Sequence, residues 1–378
     1  MYPFSTDVYA MRNQWYVAGF SREITRQPLE RWILDDPVVF YRTEAGDAVA
    51  LEGKCAHRQF PLAQGTLVGD DIQCAYHGYT YARDGQCVRI PSQARAPQNC
   101  RIKSYPTVEK WKWVWIWMGD PSLADPDLIP DHYSIGLTDP EFVSAEVYHE
   151  EIEARHQLLH DNLLDLSHVA FLHGNTLGGG SESTAIASYP TSEGPGWLRS
   201  DRLIRKTQVP PHFAHYIGRG GECDRYMPMF FYMPALHVGM DDYREPAADE
   251  NSIGKSFGKL LVHHAVTPAR RNSTHYFFAT ARNFGRGADE EMIAAFNAVI
   301  REDSWGLEAV ERMLRALGER VPADFSGRAD TQQLLGRRKM EQLIQDEQTG
   351  AAPLPLPEYS LKDALDRLYA SPQPEPAQ

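Results

Sequence analysis

From residue 13 to residue 52, short apolar runs alternate with polar turns. WYVAGF, PVVFYR and AVALEG are rich in β-branched and aromatic residues, and EAGD separates the last two. Such runs bounded by Gly and Asp predict strands of a small antiparallel barrel or sandwich. TVEKWKWVWIWMGDP (107–121) predicts a further strand, with Trp111, Trp113, Trp115 and Trp117 packed in a core. The Pro- and Asp-rich DPSLADPDLIPDHY (120–133) reads as a linker and a domain boundary. Beyond it, EEIEARHQLLHDNLLDLSHVAFLHG (150–174) lacks Gly and Pro until its end and predicts a helix. TLGGGSESTAIAS (176–188) predicts a mobile segment. Strands follow between 186 and 283, then a long helix from about Ala288 to Leu317, and a Pro-rich tail, SPQPEPAQ, expected to be disordered. The expected fold class is α+β, with an all-β domain at 1–122, a mixed domain at 123–370 and the tail at 371–378.

The long helix carries one anomaly. Its apolar stripe runs Ile293, Phe296, Ile300, then Leu307, Val310, Leu314 and Leu317, stepping by three and four. Asp303 continues that stripe between Ile300 and Leu307. A carboxylate on a buried face is costly unless it is paired or binds metal, so Asp303 is a ligand candidate on periodicity alone. Its neighbour Glu302 points away from the stripe.

Composition narrows the class. The 378 residues are 42% hydrophobic and 24% charged, ordinary for a soluble globular chain of two or three domains. A net charge of −13 argues against nucleic acid or an anionic membrane as partner. The five cysteines have no disulfide-type spacing, and a reducing cytoplasm is expected. No basic n-region opens the chain and no apolar run reaches membrane-spanning length.

The densest chemistry lies at residues 55–77. Cys55 and His57, then Cys74 and His77, form two pairs separated by sixteen residues. Two thiolates and two imidazoles would satisfy tetrahedral zinc, but zinc motifs usually group like ligands. One sulfur and one nitrogen from each of two matched loops fits a [2Fe–2S] cluster with two Cys on one iron and two His on the other. His168 and His173 are weaker signals, because residues five apart lie about 140° around a regular helix. Both reach one metal only if the helix widens or ends between them.

C-A-H-R-x-x-P-L-x-x-G (55–65), C-x-Y-H-G-Y (74–79) and D-G-x-C-x-x-I-P (84–91) resemble a Rieske domain of ring-hydroxylating-type oxygenases. D-N-L-L-D-L-S-H-V-A-F-L-H (161–173) and R-E-D-S-W-G-L-E (301–308) resemble the catalytic domain of Rieske non-haem iron oxygenases, in the vanillate and dicamba O-demethylase group. The likeness runs from Trp15 to about Leu317. It implies a C-terminal antiparallel sheet flanked by helices, of helix-grip, START-like form. It implies that His168, His173 and Asp303 ligate mononuclear Fe(II), the two-His, one-carboxylate triad that leaves positions open for O₂ and substrate. Asp165 would bridge this iron to a neighbouring subunit's cluster within a homotrimer, and Asn162 would lie near the iron. Gln59, His156 and His160 depart from the commoner pattern, and His160 reads as a partly exposed helix residue.

The resemblance also implies electrons from NAD(P)H through a separate reductase, with or without a ferredoxin. The absence of a G-x-G-x-x-G fingerprint agrees with an external donor. A small aromatic substrate is expected against Met227, Met229, Phe230, Phe231, Met233 and Met240, residues that suit an adaptable apolar cavity. His263 and His264 are adjacent in a strand, so pleating sends one inward and one out. The expected reaction is O-demethylation of a methoxy-aromatic. N-dealkylation and ring hydroxylation use the same iron set. A Rieske electron carrier or zinc-stabilised binding protein is the reading from another class, and it would have no need of Asp303.

Overall fold

In the computed structural model, residues 2–130, 137, 139–174, 176, 190–249 and 252–355 are described. The expected mobile segment, apart from Thr176, lies outside them, as do the tail and residues 131–133 of the linker. The chain divides into two compact units, Ala10–Ile129 with Thr267–Thr274, and Met1–Tyr9 with Pro130–Val266 and His275–Gln378.

Turns with positive φ at both central residues fold the smaller unit's strands into hairpins, because their twist matches that of the strands they join. Leu34 and Asp35 (φ 51° and 66°) connect Leu29–Ile33 to Asp36–Arg42. Trp111 and Lys112 (φ 61° and 65°) connect Thr107–Lys110 to Trp113–Trp117. The second turn corrects the single strand expected at 107–121: Trp111 sits in the turn, and Trp113, Trp115 and Trp117 are buried. A three-stranded sheet and two four-stranded sheets make this unit all-β. One four-stranded sheet is formed by Thr66–Val68, Asp71–Gln73, Thr80–Tyr81 and Cys87–Arg89.

The larger unit is built on seven strands: β1 (Val143–Ile152), β2 (Thr191–Gly194), β3 (Trp197–Gln208), β4 (Glu222–Tyr232), β5 (Leu236–Arg244), β6 (Ser256–Arg270) and β7 (Ser273–Arg282). Their order is β1-β7-β6-β5-β4-β3-β2, and the pairs from β2 through β6 are antiparallel. Among the described residues, four α-helices of known bounds accompany them: α1 (His156–Leu164), α2 (Pro211–Ile217), α3 (Asp289–Leu317) and α4 (Thr331–Gln348). The α+β expectation therefore holds. None of the described helices is long and apolar enough to cross a membrane.

The helix expected at 150–174 is three elements instead. Residues 143–152 pair as a strand at one end of the sheet, and α1 occupies only the middle. The helix stops because Asp165 turns extended (ψ 97°) and its carboxylate accepts from the Ser167 N–H, capping a 3₁₀ turn at Leu166–Ala170. A short polar side chain bonding its own backbone two residues on competes with helix continuation. α1 is enclosed, and His160 is fully buried rather than partly exposed. On one side α4 approaches so closely that a Cβ at Gly336 would lie 2.7 Å from Leu164 Cδ1.

α3 follows its predicted bounds, but its buried stripe drifts. Phe296, Ile300, Asp303 and Leu307 are inside, yet Val310 is 47% exposed while Glu311 is buried. The Arg155 guanidinium supplies the reason: its Nε donates to Glu311 Oε2 at 2.6 Å and its Nη2 to Oε1 at 2.8 Å. A paired carboxylate can occupy a buried position that an unpaired one cannot.

Candidate metal centres

The two cysteine loops of the smaller unit share one backbone pattern. Cys55 N–H donates to Phe60 O (2.9 Å) and Gln59 N–H to Cys55 O (2.9 Å), while Cys74 N–H donates to Tyr79 O (2.8 Å) and Gly78 N–H to Cys74 O (3.0 Å). The fourth residue after each cysteine has positive φ, Gln59 at 56° and Gly78 at 72°. Gln59 thus sits where its partner loop has Gly, a strained conformation of order 1–3 kcal/mol that the surroundings must hold. The loops bury both sulfurs and expose both imidazoles, whose ring centroids stand 4.6 Å apart. Tyr81 Oη lies 3.2 Å from Cys55 Sγ and accepts from Ala56 N–H. Burial pushes the Cys74 thiol up, so a thiolate there needs a neighbouring cation.

A tetrahedral zinc ion holds its ligand atoms within about 4 Å of one another. Among the described residues, one set of three or more His, Cys, Asp or Glu converges to within 4.8 Å, and it does not include these four. Two buried sulfurs and two exposed, facing imidazoles match the two-Cys, two-His division of a binuclear cluster.

The converging set is His168, His173 and Asp303, in the larger unit. The 3₁₀ turn after α1 carries His168, the following turn carries His173, and α3 contributes Asp303. The break at Asp165 overcomes the angular mismatch a regular helix would impose. Asp303 Oδ1 lies 3.6 Å from His168 Nε2 and 3.1 Å from His173 Nε2. Each imidazole is anchored through its other nitrogen. His168 Nδ1 lies 2.6 Å from the Asp165 carbonyl oxygen, and His173 Nδ1 lies 2.8 Å from Glu302 Oε2. Each contact places the ring proton on Nδ1 and leaves Nε2 as the ligand atom. Burial lowers the His168 pKa; at His173 burial acts likewise, but Asp303 and Glu302 outweigh it and raise the pKa. The donor set suits divalent iron.

Asn162 Nδ2 donates to Asp303 Oδ1 at 3.0 Å, which sets it beside the ligand group. Asp165 meets His168 through its carbonyl; its carboxylate accepts from the Ser167 N–H and hydroxyl. Glu302, read as merely pointing away from the stripe, was missed as a partner of His173. Its position beside Asp303 on a helix that faces the metal group was the available signal.

A cavity of about 540 Å³ opens beside this group and is lined by Asn162, His168, His173 and Asp303. Met227, Met229 and Met240 reach it, together with Phe213, Phe278 and Phe296; Phe230, Phe231 and Met233 do not. His264 lines it, with Nδ1 2.7 Å from Tyr276 Oη. His263 is buried as well, with Nδ1 3.4 Å from Ala279 O. Alternation separates the two residues, but both are enclosed.

A cluster site with external imidazoles and a separate two-His, one-carboxylate group on an apolar cavity define a two-centre iron oxygenase. Comparisons with known proteins agree. Residues 14–106 match the Rieske [2Fe–2S] domain, and residues 152–346 match the vanillate O-demethylase oxygenase C-terminal domain. The toluene-4-sulfonate monooxygenase iron-sulfur subunit of Comamonas testosteroni is 33% identical over 91% of this chain and 99% of its own. The dicamba O-demethylase oxygenase component of Stenotrophomonas maltophilia is 33% identical over 80% of this chain and 88% of its own. The crystal structure of dicamba monooxygenase bound to dicamba superposes with a TM-score of 0.79 at 29% identity, covering 89% of this chain and 98% of that one. The chain belongs to the Rieske non-haem iron oxygenases, in the group of the vanillate and dicamba O-demethylase oxygenase components. It is an oxidoreductase that uses a [2Fe–2S] cluster and a mononuclear iron.

Proposed function

We propose that this chain is the terminal component of a system that O-demethylates a small methoxy-aromatic, leaving a phenol and formaldehyde. The observation that carries the reading is the apolar cavity of about 540 Å³ with His168, His173 and Asp303 in its wall, large enough for one substituted ring. Residues 1–122 serve as the electron-receiving domain, with Cys55, His57, Cys74 and His77 holding the cluster. Residues 123–370 serve as the catalytic domain, with His168, His173 and Asp303 holding the iron. Bound iron supplies O₂ activation for attack on a substrate C–H bond. The Asp165 carbonyl and Glu302 fix the two imidazoles, Asn162 steadies Asp303, and the Met and Phe walls exclude water and hold the ring. Relatives include a vanillate O-demethylase oxygenase subunit, 30% identical over 90% of this chain.

N-dealkylation is the second reading, favoured by a chloroacetanilide N-alkylformylase oxygenase component that is 29% identical over 80% of this chain. A pure electron carrier would have no use for the buried Asp303. Electrons come from NAD(P)H through a separate reductase, with or without a ferredoxin, since relatives are components of multi-protein systems. The working unit is a cyclic homotrimer in which Asp165 links one subunit's iron to the next subunit's cluster. Exposed Tyr76 beside His77, and exposed Phe171 and Trp305 near the iron group, suit such a head-to-tail contact. The five free cysteines suit the cytoplasm.

The test is turnover of the purified protein with a compatible reductase. Methoxy-, N-alkyl- and carboxy-substituted aromatics are supplied and formaldehyde is assayed. NAD(P)H-dependent formaldehyde from a methoxy-aromatic is the expected result. Turnover confined to N-alkyl compounds or to ring hydroxylation would replace the reading.

A further inference from the structure

Cys87, Cys100 and Cys223 take no part in the candidate metal centres, and the first two lie side by side. Gln86 and Arg101 form an antiparallel bridge. It is flanked by hydrogen bonds from the Ile102 N–H to Gly85 O at 2.9 Å and from the Cys87 N–H to Cys100 O at 3.0 Å. Cys87 and Cys100 are therefore directly opposed, with their side chains on one face. Two contacts press the segments together here. Gln86 Nε2 donates to Cys100 O at 3.1 Å. A Cβ at Gly85 (φ 82°) would lie 2.1 Å from Ile102 O, so glycine alone admits this approach.

Opposed residues at such a position stand about 5.5 Å apart between Cα atoms, within the span a disulfide bridges. Cys87 is 3% exposed and packs in the same core as Cys55 and Cys74, while Cys100 is half-buried at its edge. Burial, and then the Cys100 thiol beside it, push the Cys87 thiol up to about 11. Cys100 is thus the sulfur that a solution oxidant meets first. Cys87 also has a partner on the cluster side. Tyr81 stands opposite it in the neighbouring strand, and the Tyr81 hydroxyl lies 3.2 Å from Cys55 Sγ.

We propose that Cys87 and Cys100 are a redox-sensing dithiol that hydrogen peroxide closes to a disulfide, and that Tyr81 passes its state to the cluster. Hydrogen peroxide is what two electrons and two protons make of O₂ when no substrate is oxygenated. The Cys100 sulfur attacks one peroxide oxygen and becomes a sulfenic acid, and the second oxygen leaves with the thiol proton as water. The Cys87 sulfur then displaces the sulfenic hydroxyl, which leaves as water with the Cys87 proton. Two thiols and one peroxide yield one disulfide and two waters, and a dithiol reductant reverses the step by exchange. A bridge that opens and closes in this way suits a reducing compartment, where a permanent one does not. The disulfide stands on the strand geometry alone; its effect on the cluster rests on Cys55 as a cluster ligand.

The holoenzyme is treated with equimolar hydrogen peroxide, its remaining thiols are blocked, and tryptic peptides are mapped by mass spectrometry while the visible absorption of the cluster is followed. Peptides 84–89 and 96–101 are expected to appear joined, to separate again under dithiothreitol, and to do so with the absorption unchanged. Cys87→Ala should instead accumulate a sulfenic acid at Cys100 that dimedone traps, and Cys100→Ser should leave Cys87 reduced. Voltammetry of the bridged and re-reduced protein should show a shift in the cluster's midpoint potential. That shift should vanish in both cysteine variants, and in Tyr81→Phe with the bridge still formed. Unlinked peptides, pairing with another cysteine, or bleaching of the cluster before the bridge forms overturns the dithiol. A bridge without a shift in potential overturns the role of Tyr81. A Cys55→Ala protein that keeps its cluster would sink the ligand assignment and leave the bridge standing.

Discussion

Glu302 offers the most discriminating perturbation of the iron group. Its Oε2 accepts from His173 Nδ1 at 2.8 Å and from Thr176 Oγ1 at 2.7 Å, which fixes the ring with Nε2 3.1 Å from Asp303 Oδ1. Glu302→Ala removes that anchor while leaving all three ligands in the chain. The loss of such an outer partner typically costs roughly 10–100-fold in metal affinity, about 1.4–2.7 kcal/mol. Glu302→Gln keeps an acceptor but loses the charge. Because a charge-assisted bond is about twice as strong as a neutral one, its deficit should be near half of that free energy, or roughly threefold to tenfold. The assay is Fe(II) titration of mononuclear-iron-free protein against a competing chelator. Visible absorption of the cluster serves as the internal control, since Cys55 and Cys74 belong to the other unit. Unchanged Fe(II) affinity in Glu302→Ala would refute the reasoning. So would equal losses in both variants, because charge would then play no part.

Four further outcomes are expected. Asp303→Ala should abolish turnover and mononuclear iron while the cluster absorption stays intact; surviving turnover would dissolve the assigned triad. Co-assembled trimers of a His57→Ala and a His168→Ala chain should regain activity if electrons cross between subunits, and confirmed mixed trimers without activity would refute the crossing. Glu311→Gln should destabilise the fold by about 3 kcal/mol in chemical unfolding, because it leaves the buried Arg155 charge uncompensated; a change below 1 kcal/mol, by the same measure, would show the pair to be replaceable. Burial lowers the pKa of His160 and His237, whose rings meet at 2.9 Å, and holds His156 at about 3. The unfolded chain therefore binds the extra protons, so this stability is full above about pH 6.5 and falls as pH drops toward the folded values, by up to about 1.4 kcal/mol per unit for each histidine. Paired replacement of His160 by Leu and His237 by Phe should flatten the loss between pH 7.5 and 5.5 in circular-dichroism melts, and an unaltered slope would contradict it.

Much of the site could be read in the sequence because its signals are local. Two Cys–His pairs at matched spacing needed only the chain order to suggest a two-iron cluster. Asp303 betrayed itself by interrupting an apolar stripe, since burying a carboxylate demands a partner wherever the helix packs. The EAGD turn of the smaller unit and the bounds of α3 followed from short-range pattern, whereas the turn at Trp111 and Lys112 did not.

What the sequence could not supply depended on contacts distant in the chain. Val310 and Glu311 exchange places on the stripe because Arg155, 156 residues away, waits for the carboxylate. α1 ends at Leu164 because the Asp165 carboxylate prefers Ser167 to another helical turn, and that single break lets His168 and His173 reach Asp303 together. Glu302 gains its role only once His173 folds back against α3, and Cys87 meets Cys100 only once Gln86 pairs with Arg101. Local periodicity specified which elements form and which carboxylate is out of place. Tertiary packing alone decided which side chains share a cavity, because hydrogen bonds and ion pairs act through space regardless of separation along the chain.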